Sequence, residues 1–317
     1  MIIITGGAGF IGSVLAEELN ARGYDDILIV DQDMKNTAKE ANLANLNFRD
    51  YLESDEFLKK IEGNSFKNVE AIFHQGACSS TTEMNLDYLR TNNTEYTERL
   101  ALWAVRNNAY FSYASSAATY GNGECGYDDA DDLSPKLKPL NPYGDSKLAF
   151  DLKAIDSGLI KEIIGFRYFN VYGPKEYHKE GMRSVVHKGF EQIRDTGQIK
   201  LFKSYKEEYP DGGQKRDFVY IKDVCNALLW FYENQKHKGI FNIGTGLAAT
   251  WNDLANGLFA AMQKPANIDY IEMPDSIKNQ YQYFTEAKMD KLRATGCPTE
   301  FRPIHDGIND YVVKHLL

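Results

Sequence analysis

Tyr143 and Lys147 form a Tyr-x-x-x-Lys pair within Tyr143-Gly144-Asp145-Ser146-Lys147. On a helix this spacing puts both side chains on one face. A phenol titrates at about 10 and is a poor base at neutral pH. A neighbouring ammonium favours the phenolate and lowers that value, so the pair reads as a base with its activator. The pattern alone is cheap, because Tyr232-x-x-x-Lys236 matches it too. Nothing around that second copy supplies a site, and it reads as surface helix. Tyr143 differs in having Ser115-Ser116 upstream, at the end of an apolar strand. At such a strand end Ser116 is placed to hydrogen-bond a reacting oxygen.

A second group lies at the start of the chain. Thr5-Gly6-Gly7-Ala8-Gly9-Phe10-Ile11-Gly12 carries Gly7-x-Gly9-x-x-Gly12 between an apolar strand and a helical pattern. Glycines here allow a tight turn, a close approach of backbone to a pyrophosphate, and close helix–strand packing. The following helix N-terminus offers free N–H groups to the phosphates. Asp31 ends the next strand, at about the twenty-residue distance where an acid binds ribose hydroxyls. A dinucleotide site is expected. Asp31 alone suits NAD, whereas Gln32, Lys35 and Lys39 suit the extra phosphate of NADP and Asp33 opposes it. The residues leave that choice open.

These groups need elements to hold them. Short apolar runs at residues 2–5, 27–31, 71–74, 111–115 and 163–169 read as buried strands. Helices are expected at 88–108 and 143–157, with Gly23 and Gly158 as helix stops. The β-α-β-α order implies an α/β fold with a doubly wound parallel (Rossmann) sheet and right-handed crossovers. After Gly173-Pro174 the pattern becomes charged and irregular, and 218–224 and 241–243 read as returns to the main sheet. The expected division is a dinucleotide-binding domain, 1–171 plus 218–247, and a smaller substrate-binding domain, 172–217 plus 248–317. Asp128, Asp129, Asp131 and Asp132 read as a solvated loop face.

The composition bounds the rest. The 317 residues are 43% hydrophobic and 26% charged, as in a globular protein with a sizeable core. A net charge of −9 argues against a nucleic-acid surface but leaves room for a local basic pocket. Cys78, Cys125, Cys225 and Cys297 show no disulfide-like spacing and read as free thiols of a reducing compartment. No leader and no apolar run of membrane-spanning length is seen, so no membrane partner and a cytoplasmic location are expected. No metal site is expected.

TGGAGFIG, YASSAATYG, NPYGDSK, RYFNVYGP, KRDFVYIKDV and FNIGTG resemble, in order, the marker segments of extended short-chain dehydrogenases/reductases. More narrowly, FHQGACSSTTE, GFRYFNVYGPKEYHKEGMRSVV and NQYQYFTEAKM resemble the ADP-L-glycero-D-manno-heptose 6-epimerases. That resemblance implies an NADP-dependent isomerase. It would convert ADP-D-glycero-D-manno-heptose to its L-glycero epimer by oxidation and re-reduction at carbon 6, for the lipopolysaccharide inner core. It also implies a homo-oligomer, with a pentamer among the family's assemblies. Ser116, Tyr143 and Lys147 match the catalytic residues, and Lys179 matches a second acid/base lysine. By itself Lys179, among Lys175, Glu176, His178 and Glu180, reads as a solvated side chain.

Cofactor contacts are implied for Gly6, Gly9, Phe10, Ile11, Gly12, Asp31, Gln32, Lys39, Gln75, Gly76, Ala77, Asn92, Lys147 and Val171. Substrate contacts are implied for Ser79, Asn170, Gly181, Lys188, Phe202, Arg216 and Tyr281, with Arg216 suited to a diphosphate. The chain departs from the family pattern at Gln32-Asp33, at Gly181 and in the acidic loop from Gly121 to Asn141. Sugar 4,6-dehydratases carry an Asp-Glu pair after the catalytic hydroxyl, whereas Ser116 is followed by Ala117-Ala118. A UDP-hexose 4-epimerase, which needs one tyrosine base and no Lys179, and a non-catalytic NADP-binding sensor are the competing readings.

Overall fold

The computed structural model describes residues 1–33, 37–278 and 281–317; Lys35 lies outside them. Seven strands form one sheet: β1 (Ile2–Thr5), β2 (Ile27–Asp31), β3 (Asp50–Glu53), β4 (Ala71–His74), β5 (Tyr110–Ser116), β6 (Ile164–Tyr168) and β11 (Gly239–Ile243). Their order is β11-β6-β5-β4-β1-β2-β3, and every neighbouring pair is parallel. Parallel neighbours need crossover helices, which cover both faces, so the strands read as unbroken apolar runs. Alternate residues of β1 and β2 feed opposite faces: Ile2, Ile4, Ile27 and Ile29 join one core, and Ile3, Leu28 and Val30 the other. The strand order reverses at β1/β4, and ligands of such sheets bind in the crevice beyond that point. The expected Rossmann sheet is present.

Two strands outside this sheet, β7 (Asn170–Tyr172) and β10 (Phe218–Tyr220), pair with each other. The expected return of 218–224 to the main sheet is therefore corrected, and Ile221 opens the helix Ile221–Glu233. The remaining strands are β8 (Ile199–Phe202) with β13 (Ile268–Ile271), and β9 (Lys215–Arg216) with β12 (Ala249–Thr250). Among them pack the helices Val185–Thr196, Trp251–Ala261 and Ile304–Tyr311.

Three further expectations change. The helix expected over 88–108 consists of Leu86–Leu89, a π turn at Arg90–Glu95 and Tyr96–Arg106. At the π turn Asn93 points inward, accepting from Cys78 N at 2.8 Å and donating to Cys78 O at 3.0 Å. Such turns often mark functional sites. Tyr232 is not surface: it is 4% exposed, packs edge-on to Phe73 and Tyr110, and its hydroxyl donates to Glu70, while Lys236 lies beyond the helix. Asp129 is 1% exposed and accepts the backbone N–H of Asn242 at 2.7 Å. The acidic loop is thus partly a clip on β11 rather than a solvated face. Among the described residues no helix is long and apolar enough to cross a membrane.

Candidate active site

A cavity of about 700 Å³ opens beyond the carboxyl ends of β1, β2, β4, β5 and β6. Its floor at β1 is the glycine turn. Gly6 has φ +66°, and a Cβ there would meet Gly76 N at 2.6 Å. A Cβ on Gly12 would lie 2.2 Å from Gly6 O. Positions 6 and 12 are therefore closed to any side chain. The helix Phe10–Ala21 begins at Gly9 with no side-chain cap, leaving first-turn N–H groups for a ligand. Asp31 accepts from Ala8 N at 3.0 Å, Gln32 N at 2.7 Å and the Lys39 ammonium at 2.9 Å. Gln75 accepts from Tyr168 Oη at 2.8 Å, while its Nε2 is buried without a partner among the described residues. A cradle that excludes Cβ atoms, bare helix amides and an orphaned amide donor fit a dinucleotide.

The neighbouring wall carries Ser116, Tyr143 and Lys147, all lining the cavity. Pro142 opens the helix Pro142–Asp156, and Asn141 caps it by accepting from Gly144 N at 2.9 Å. Gly144 lets this helix lie against the turn after Ser116, since a Cβ would meet Ala118 O at 2.9 Å. Lower down, Asp151 accepts from Tyr113 Oη at 2.8 Å, Ser115 Oγ at 2.9 Å and Arg167 Nε at 3.0 Å. That network locks helix to sheet. Lys147 donates to Ala114 O at 2.8 Å, and burial brings its pKa down to about 8. Burial holds the Tyr143 phenol above its usual value, with Ser116 pulling it down and Cys78 pushing it up. The expected lowering of Tyr143 by Lys147 is not seen in the protein alone.

Across the cavity, Lys179 sits in a short 3₁₀ segment, Tyr177–Met182. It is half-buried, not solvated, with its ammonium 5.3 Å from the centre of the Phe10 ring. Burial lowers its pKa, and Glu176 opposes that. The segment is held by the fully buried Glu176, which accepts from Ser184 Oγ at 2.7 Å, from Ser184 N and from Gly173 N at 3.4 Å. Lys175 (φ 72°) and Glu180 (φ 46°) flank Lys179 in the region that disfavours side chains.

Of the other expected residues, Gly6, Gly9, Phe10, Ile11, Gly12, Asp31, Lys39, Gln75, Gly76, Ala77, Ser79, Asn170 and Val171 line the same cavity. Gln32, Asn92, Gly181, Lys188, Phe202, Arg216 and Tyr281 do not. Gln32 adjoins it, its carbonyl accepting from Lys39 at 2.7 Å. Asn92 donates to Asn93 Oδ1 at 3.1 Å on the π turn. Lys188 donates to Gly181 O at 3.3 Å. Phe202, Arg216 and Tyr281 form a second group joined to the cavity through Trp251. The Arg216 guanidinium lies 5.3 Å from the Tyr281 ring and 5.8 Å from that of Trp251, whose Nε1 donates to Tyr281 Oη at 2.8 Å. Arg216 is 7% exposed, and among the described residues it donates to backbone carbonyls, not to carboxylates. A buried cation so placed is poised for an anion. Trp251, Cys78 and His178 line the cavity without having been expected there. Cys78 and His178 lie inside matched segments, whereas Trp251 lies outside them.

The sequence matches the model of the NAD dependent epimerase/dehydratase family over residues 2–244. The chain belongs to that family. It is 46% identical, over 317 residues, to an ADP-L-glycero-D-manno-heptose-6-epimerase of Nitratidesulfovibrio vulgaris strain DP4, covering 100% of this chain and 98% of that protein. A crystal structure of ADP-L-glycero-D-manno-heptose-6-epimerase from Helicobacter pylori superposes with TM-score 0.84 at 28% identity, covering 100% of this chain and 96% of that one. The UDP-glucose 4-epimerase of Thermus thermophilus, solved with NAD, superposes with TM-score 0.76 at 25% identity, covering 100% and 99%. The resemblance expected from short segments thus extends along the whole chain.

Proposed function

We propose that this epimerase interconverts ADP-D-glycero- and ADP-L-glycero-D-manno-heptose, using NADP to oxidise and re-reduce carbon 6. The observation carrying this reading is that one cavity holds two separately mounted proton carriers, Tyr143 and Lys179. Carbon 6 is not next to a carbonyl, so simple deprotonation cannot invert it. When bound, the nicotinamide supplies reversible hydride acceptance. Inversion then requires the sugar end to present its other face, which moves the hydroxyl proton to a second place. A general base must lie within about 2.6–3.2 Å of its proton, so one residue cannot easily reach both. Tyr143 takes the proton in one orientation, with Ser116 hydrogen-bonding the reacting oxygen. In the other, Lys179 returns a proton to that oxygen as the carbon is re-reduced; in the reverse direction it takes the proton, and burial keeps it readier to be neutral. A 4-epimerase of the single-tyrosine kind leaves Lys179 without a task.

Arg216, with Tyr281 and Trp251, is the proposed grip on the substrate diphosphate. The Lys39–Asp31 pair supports NADP. It offsets the Asp31 charge and puts an ammonium at the ribose corner, although the Thermus thermophilus relative is solved with NAD. We also assign the larger domain, 1–171 plus 218–247, to the cofactor and 172–217 plus 248–317 to the substrate. Assembly as a homo-oligomer and a place in lipopolysaccharide core synthesis follow from the same resemblance.

The test is turnover of the ADP-heptose in D₂O, with the bound nucleotide identified after denaturing the protein. Epimerisation without deuterium at carbon 6, and release of NADP, are expected. Deuterium at carbon 6 would rule out direct hydride return. Recovery of NAD alone would give Asp31 the ribose hydroxyls.

A further inference from the structure

Glu180 follows Lys179 directly and holds φ 46° and ψ −120°. Those angles belong to the first central residue of a II′ turn, a place that glycine normally fills. The strain therefore falls on a side-chain-bearing residue right beside the proposed second proton carrier. A backbone in such a region persists only where its surroundings over-determine it. Glu176 brackets the segment by accepting from Gly173 and Ser184. A carboxylate cannot bond a carbonyl, so the strained peptide inside the bracket needs a donor of its own.

Arg183 supplies that donor twice. Its backbone N donates to Glu180 O at 3.2 Å, and its Nε donates to the same oxygen at 2.9 Å. The outer end of the guanidinium is tied down as well, with Nη1 donating to Glu191 Oε1 at 2.8 Å. Glu191 stands on the helix Val185–Thr196, which buries Val186, Phe190 and Ile193 and is capped by Ser184. A planar guanidinium makes both bonds at once, which a single ammonium on a flexible stem does not. The peptide that carries Lys179 is thus clamped to a packed helix through one arginine. Nothing assigned above uses Arg183.

We propose that Arg183 is a positioning residue for the second proton carrier. Its guanidinium, oriented by Glu191, holds the Glu180 peptide at positive φ and so fixes where Lys179 meets the substrate. This rests on the two-carrier reading above. A peptide released toward negative φ turns the Lys179 side chain, and a misplacement of about 1 Å can cost about a hundredfold in rate.

The test is a double-mutant cycle in the full chain. Glycine adopts the Glu180 angles without steric cost, so Glu180→Gly should make the clamp dispensable. The Glu180 side chain is exposed, and its removal takes nothing from the core. Turnover of the ADP-heptose, bound nucleotide and Tm are measured for each variant. Arg183→Ala should lower kcat about tenfold to a hundredfold, with KM, bound nucleotide and Tm little changed. Glu191→Gln keeps an acceptor but loses the charge, and should lower kcat by less. Glu180→Gly alone should turn over like the unaltered chain. Arg183→Ala added to it should stay within about twofold of it, the scatter of uncoupled sites. Unchanged kcat in Arg183→Ala, with Lys179→Ala inactive, overturns the clamp and leaves the two carriers standing. A loss in kcat that Glu180→Gly leaves unrepaired overturns it too. Arg183 lines the cavity, so a raised KM that glycine leaves unrepaired would make it a substrate contact instead. Near-normal turnover in Lys179→Ala overturns the two-carrier reading and this proposal with it.

Discussion

Tyr143 and Lys179 line one cavity from two kinds of support. Tyr143 stands on a 15-residue helix with a proline first turn and an asparagine cap. Beneath it a fully buried Arg167–Asp151 pair, at 2.9 Å, extends to Ser134 and Tyr120. Lys179 stands on six residues of 3₁₀ helix, between two side chains forced to positive φ. Glu176, through Gly173 and Ser184, and Asn42, through Lys175 O and His178, hold that segment from two side chains. A base that must meet one fixed oxygen gains from many redundant bonds. The base proposed for a second substrate orientation sits on a shorter segment, and strained residues cost about 1–3 kcal/mol each. The difference predicts that damage will spread on one side and stay local on the other.

Removing the two proposed proton carriers gives the largest effect. Tyr143→Phe and Lys179→Ala should each lower epimerisation by about 10²–10⁴-fold while the nucleotide stays bound. Near-normal turnover in Lys179→Ala would reduce the comparison to one working side and favour the 4-epimerase chemistry. The supports come next. Asp151→Asn leaves the Arg167 charge buried without its partner and should cost about 3–5 kcal/mol of global stability in chemical denaturation. Glu176→Gln turns an amide NH2 toward either the Ser184 or the Gly173 N–H, a loss of about 1–3 kcal/mol. It should depress kcat far more than Tm. Equal global destabilisation by both variants would erase the distinction.

Arg216→Ala should raise KM for the nucleotide sugar about tenfold to a hundredfold, with kcat less affected. An unchanged KM makes Arg216 a structural residue beside Phe218. The smallest effect belongs to the floor. His74, 2% exposed between Thr5 Oγ1 and Thr97 Oγ1, is pushed by burial from 6.5 to about 3. Between those values the unfolded chain holds one more proton than the folded one, so stability rises with pH and falls as pH drops through this window. His74→Gln keeps both hydrogen bonds without titrating. It should flatten the slope of stability against pH by up to about 1.4 kcal/mol per unit.

The floor was legible because its signals are periodic or repeated. Buried runs such as Ile27–Asp31 admit one reading when helices alternate with them. Gly12 and Asp31 carry a spacing with a mechanism. Tyr143 gained its meaning from Ser116 one element away. The Lys179 segment was not legible from spacing. It lies in a charged stretch whose pattern says solvent, and only resemblance lifted Lys179 out. The polar strand Asp50–Glu53, with Leu52 its one buried side chain, gave no apolar run to read. Tyr232 misled for the opposite reason. Its motif sits at a helix end whose other positions are buried, and nothing in the spacing reveals that its hydroxyl reaches Glu70. Phe218–Tyr220 reads like any core strand, and its pairing with β7 is decided by tertiary packing.

The two outer strands of the large sheet carry a consequence for crowded solutions. An open sheet edge is a template on which another chain can build and start a fibril. β3 ends the sheet with four residues, of which Asp50 and Glu53 are exposed charges. It is too short and too charged to recruit a neighbour. At the far side the Asp129 carboxylate occupies the Asn242 N–H on the outer edge of β11, where an added strand would bond. Tyr127 O and Lys288 O take up the Asn242 amide beside it. The acidic loop thus terminates the sheet in the way a stopper terminates a polymer. Aggregation resistance is written into a stretch of sequence that looks like mere solvent-facing charge.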